Sequence, residues 1–105
     1  FPIIKSPLSY ISKNVKISEG TIIMHHCLLN TSSSIGINCI INSKSLIEHD
    51  VQIDDFSHIS TSVVINGNVK IGKKVFIGSN STVCNSLKIK NNTFVPASSL
   101  VKKNV

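Results

Sequence analysis

Residues 41–60 read INSKSLIEHDVQIDDFSHIS, and the fold turns on one feature of them: the branched residues Ile41, Ile47, Ile53 and Ile59 recur every six places. Stepping outward by the same interval reaches Ile11, Ile17, Ile23, Leu29 and Ile35 on one side. On the other it reaches Ile65, Ile71, Ile77, Val83, Ile89, Val95 and Val101. Four places after each lies a second series, small or β-branched except at Leu87, of which Val51, Ser57, Val63 and Val69 are a sample. A helix of 3.6 residues per turn cannot hold a six-residue series on one face, whereas a short strand closed by a tight turn can.

The third place after the branched residue supplies that turn. It holds Asn14, Gly20, Asn38, Asp50, Asn68, Asn80, Asn92 and Asn104, residue types that tolerate positive φ and suit the third position of a type II turn. Three such corners close a triangular coil of about 18 residues, and stacked coils pair their strands about 4.8 Å apart. The register runs unbroken from Ile11, so the sequence predicts an all-β, single-stranded parallel β-helix of hexapeptide repeats. It has about five triangular coils and no protruding loop.

Composition bounds what such a prism can do. The 105 residues make one domain. No apolar run approaches the roughly 18 residues of a membrane span, so none is expected. Cys27, Cys39 and Cys84 are odd in number and lack metal-ligand spacing, which argues against a disulfide framework and for a reducing, cytoplasmic setting. The net charge of +6 comes entirely from lysine. Without arginine, sequence-specific nucleic-acid binding is not expected, while lysine suits a small phosphorylated ligand.

The residue before each branched one points outward, and its column repeats every 18 residues. One face reads Lys16, Ser34, Gln52, Lys70, Lys88 and is solvated. A second reads Tyr10, Leu28, Leu46, Val64, Thr82, Leu100, and a third reads Ile22, Ile40, His58, Phe76, Phe94. Two contiguous apolar stripes on the outside of a prism call for covering. A closed three-fold ring, each face meeting the other face of a neighbour, covers both, and a homotrimer is expected. The alternative is a further domain or segment lying over the stripes.

His49 falls on a corner beside the second face, with Thr31 and Gly67 one coil away in its column and Gly67 leaving space there. A histidine next to a carboxylate, on an edge that borders another copy, is placed to act as a general base. Asp50, or else Glu48, would fix its tautomer. His58 lies on the aromatic stripe, and His25 and His26 are read as turn residues.

The stretch INSKSLIEHDVQIDDFSHIS, followed by NGNVKIGKKVFIGSNSTV at residues 66–83, resembles the hexapeptide acyltransferases of the sialic-acid O-acetyltransferase and UDP-4-amino-sugar N-acetyltransferase group. The resemblance covers essentially the whole chain and implies the left-handed sense of the β-helix. It implies that residues 1–10 are a lead-in from an N-terminal sugar-nucleotide domain and that residues 11–105 form the acyltransferase β-helix. It also implies transfer of an acetyl group from acetyl-CoA to a sugar amine or hydroxyl, with no metal. Carried over by residue, the base falls on His49, its carboxylate partner on Asp50 and an acceptor-side asparagine on Asn42. His58, Gly67 and Gly78 fall beside the cofactor. The chain departs from the family pattern at Asp54 and in VPASS, residues 95–99. Two other readings accompany this one: a zinc-dependent carbonic anhydrase of the same fold, with three of His25, His26, His49 and His58 converging across a protomer boundary, and a non-catalytic trimeric scaffold.

Overall fold

The computed structural model describes residues 1–105. Seventeen two-residue strands recur every six residues, from β1 (Ile4–Lys5) and β2 (Tyr10–Ile11) to β17 (Leu100–Val101), and there is no helix. From β2 on, each strand ends on a branched residue of the six-residue series. Every strand pairs in parallel with those one coil away, as His58 lies opposite both Ile40 and Phe76. The pairing builds three sheets of six, six and five strands, which are the three faces of the prism.

We call them the aromatic face (Ile4 to Phe94), the aliphatic face (Tyr10 to Leu100) and the lysine face (Lys16 to Lys88). Their columns are those the 18-residue interval predicts. Pairing also reaches back before Ile11, because Lys5 stands opposite Ile23. Part of the stretch expected as a lead-in is therefore already coil.

Corner geometry is more uniform than corner sequence. The slot three places after the branched residue has positive φ at every corner from Asn14 to Ser98, between 51° and 74°. Asn, Asp and Gly accept this readily, but Lys44, Phe56 and Lys74 adopt it too, at about 1–2 kcal/mol each. The coils above and below fix the corner and override the local preference. Asn104 is outside the set; its side-chain oxygen accepts the backbone N–H of Lys88 at 2.8 Å.

The branched series from Ile23 to Val101 and six apolar members of the second series form one buried cluster of 20 residues, with Ile11, Val15, Ile17 and Leu87 packed against it partly buried. The second series also puts hydroxyls in that core: Thr21, Ser33, Ser45, Ser57 and Ser81 are buried. Each donates to a backbone oxygen fifteen residues on, at the next coil's corner, as Ser45 Oγ does to Ser60 O at 2.7 Å. Cys27 and Cys39 make the same contact through sulfur, to Asn42 O at 2.9 Å and Asp54 O at 3.2 Å. Burial raises both thiol pKa values, which keeps them protonated and able to donate. No buried side-chain nitrogen or oxygen lacks a partner. The fold has no helix long and apolar enough to cross a membrane.

Candidate functional site

His49 and Asp50 occupy the corner that follows the strand Leu46–Ile47, on the edge between the aliphatic and lysine faces. Asp50 takes the left-handed slot with φ 57°, and from there its Oδ2 lies 3.0 Å from His49 Nδ1. The two side chains are 49% and 53% exposed. An exposed pair of this kind adds at most about 1 kcal/mol to stability, so its main effect is on orientation. With Nδ1 donating to the carboxylate, Nε2 is the bare nitrogen and has no partner within the chain. Glu48, the other carboxylate considered for the imidazole, is engaged elsewhere and accepts from Asn30 Nδ2 at 3.2 Å.

Gly67 stands one coil above His49. The space over this glycine is not vacant, since the imidazole fills it: a Cβ added at Gly67 would lie 2.6 Å from Nε2 and 2.7 Å from Cε1.

Asn42, His58 and Gly78 lie elsewhere on the same chain. Asn42 and Gly78 are on the edge between the aromatic and aliphatic faces, and His58 is on the aromatic face. Asn42 Nδ2 is 3.5 Å from His58 Nε2, a contact at the limit of hydrogen bonding. The rings of His58 and Phe76 pack edge to face, with centroids 5.2 Å apart and planes at 88°, and Phe76 stacks on Phe94 at 5.2 Å and 8°. Partial burial lowers the His58 pKa below its ordinary 6.5, which favours a neutral ring at pH 7. Gly78 has a structural reason of its own: a Cβ there would collide with the backbone nitrogen of Ala97.

The residues singled out from the sequence thus form two groups, at opposite ends of the strand Leu46–Ile47. One is His49 with Asp50 and Gly67, and the other is Asn42 with His58 and Gly78. They do not share a pocket within one chain. A depression of 830 Å³ runs along the lysine face past Lys16, Gln52, Lys70 and Lys88, and neither group lines it. Nor do the four histidines converge: no three His, Cys, Asp or Glu side chains come together as metal ligands would. His25 instead pairs with Ser6 at 2.6 Å. Two partnerships escaped the sequence reading, Asn30 with Glu48 and Ser60 with Ser79 at 2.8 Å. The first follows the 18-residue interval and was open to that rule.

No protein-family model and no curated protein sequence matches the chain. Solved structures do. A histidine-to-asparagine variant of perosamine N-acetyltransferase from Caulobacter crescentus, in complex with CoA and GDP-perosamine, superposes with a TM-score of 0.96 at 25% identity. The match covers 100% of this chain and 51% of that one. The acetyltransferase domain of PglB from Neisseria gonorrhoeae, in complex with acetyl coenzyme A, gives 0.97 at 22% identity over 99% of this chain and 51% of that one. A UDP-N-acetylglucosamine O-acyltransferase from Moraxella catarrhalis gives 0.61 at 17% identity, covering 95% and 67%. The chain spans about half the length of the first two. Its fold is the left-handed parallel β-helix of the hexapeptide-repeat sugar acyltransferases.

Proposed function

We propose that this β-helix belongs to an acetyltransferase that moves the acetyl group of acetyl-CoA to the amine of a sugar, with His49 as general base. The observation that carries the reading is the His49–Asp50 pair. The carboxylate holds Nδ1 at 3.0 Å, so the imidazole presents a basic Nε2 at an exposed edge. Two structural neighbours whose names state N-acetyltransferase or acetyltransferase, with CoA or acetyl coenzyme A bound, support the same chemistry.

In the reaction the acceptor nitrogen attacks the thioester carbonyl, a C–N bond forms, and His49 Nε2 takes the proton that the nitrogen loses. Collapse of the tetrahedral species breaks the C–S bond, and the departing thiolate is protonated by the imidazolium. No acyl-enzyme is required, since holding both substrates in one crevice removes most of the entropic barrier.

One chain offers only half of such a crevice. The apolar faces supply the reason for another copy: Phe94 is 68% exposed, Tyr10 63% and Leu100 58%. A three-fold ring that packs the aromatic face of one copy against the aliphatic face of the next covers both. It also carries the His49 edge of one copy toward the Asn42–His58 edge of its neighbour. The second copy is therefore part of the proposed site. The lysines of the late coils would meet the phosphates of CoA as point charges.

The test is release of free thiol from acetyl-CoA in the presence of amino sugars. Wild-type protein turns over, and His49→Ala loses about 10²–10⁴-fold in kcat while its oligomer and CoA affinity stay unchanged. A His49→Ala protein that turns over like wild type removes the assignment. Turnover with hydroxyl acceptors alone replaces amine transfer by ester formation at the same base.

A further inference from the structure

Four glycines of this chain have backbone angles open to any residue, because only Gly20 has positive φ. Each has another reason to lack a side chain, and at Gly67 that reason is a functional group. At Gly36 and Gly72 a Cβ would meet first the side-chain oxygen of Asp55 or Asn91 and then the backbone of the same residue, and at Gly78 it would meet only the backbone of Ala97 and Pro96. At Gly67 the three atoms nearest to where a Cβ would stand all belong to the His49 ring, with Nε2 at 2.6 Å, Cε1 at 2.7 Å and Cδ2 at 3.3 Å.

The ring is therefore located on two sides. Asp50 holds its Nδ1 edge, and the bare backbone of residue 67 receives the opposite edge. Nothing else in the chain bonds the imidazole, and half of its surface is exposed, so an obstruction would swing it outward rather than be resisted.

We propose that Gly67 is a positioning residue: its missing side chain seats the His49 imidazole against the coil above while half of the side chain stays exposed. The proposal rests on the reading of His49 as the base. It assigns Gly67 a role toward the enzyme's own side chain, in addition to any contact with the acetyl donor. A methyl group at position 67 would stand where the ring now lies and push it off Asp50.

The experiment compares wild type with Gly67→Ala by ring-nitrogen NMR of His49, with the imidazole neutral, and by steady-state kinetics. In wild type the neutral ring is held as the Nδ1–H tautomer by Asp50. In Gly67→Ala that tautomer gives way to the mixture of an unrestrained histidine, kcat falls about 10²-fold and KM for acetyl-CoA stays within about twofold. An unchanged tautomer signature in Gly67→Ala overturns the proposal, and so does an unchanged kcat in a protein that is active as wild type.

If alanine at 67 prevents folding, the same substitution in a His49→Ala background decides. The proposal expects the double variant to fold and melt like His49→Ala alone, and a double variant that also fails to fold overturns it. The tautomer and the double variant need no turnover. They therefore judge the seat even if the protein proves not to be an acetyltransferase.

Discussion

His58 shows how a single position inherits its chemistry from the stack. It stands in register between Ile40 and Phe76, and the column removes enough water to lower its pKa. The folded state then binds fewer protons at this site than the unfolded chain does. The stability associated with His58 is complete above the ordinary pKa of 6.5 and is lost as pH falls below it toward the lowered folded value. The melting temperature of wild type should therefore drop on acidification from about pH 7.5 to about 5 by more than that of His58→Phe. Equal drops in thermal melts of the two proteins would show that His58 is hydrated after all. Sequence legibility at this scale was uneven. The His49–Asp50 contact could be read because Asp50 fell in the turn slot. The use of Gly67 could not, because spacing places a glycine above a histidine without saying which atoms fill the gap.

Among elements, the corner matters more than the strand. A strand here is only two residues long, and the ladder is continued at each corner by a side chain when the second series supplies a hydroxyl. Ser57 Oγ donates to Gly72 O at 2.8 Å and accepts from Val75 N at 3.1 Å, joining two coils in the core. Ser57→Ala strands both backbone groups and should cost about 1–3 kcal/mol in denaturant unfolding. Ser57→Cys should recover part of that loss, as Cys39 already makes the equivalent sulfur contact. An alanine variant as stable as wild type would mean that the hydroxyl is dispensable. The six-residue period was legible because every inward branched side chain meets the same surroundings. The left-handed corner was legible where Asn, Asp or Gly marked it, but not at Lys44, Phe56 or Lys74, where stacking imposes it.

At the scale of the whole molecule, the prism separates what the proposed chemistry needs together. His49 and Asn42 lie at the two ends of one strand, on different edges, and no coil of the same chain can bring them to one substrate. Two exposed apolar faces indicate how copies would meet, and the proposed ring joins unlike edges. Sequence reasoning could place each residue on its edge. It also expected the His49 edge to border another copy, and the proposed crevice would belong to no single chain.

Subunit complementation tests that claim most directly. His49→Ala and Asn42→Ala proteins, each of low activity alone, would be unfolded together in equal amounts, refolded, and assayed for thiol release. If each site draws its His49 edge from one copy and its Asn42 edge from the next, about a quarter of the sites in randomly mixed trimers recover both wild-type residues. Activity should return to about that fraction of wild type. A mixture that co-assembles yet stays as inactive as its parents would contradict a site shared between copies.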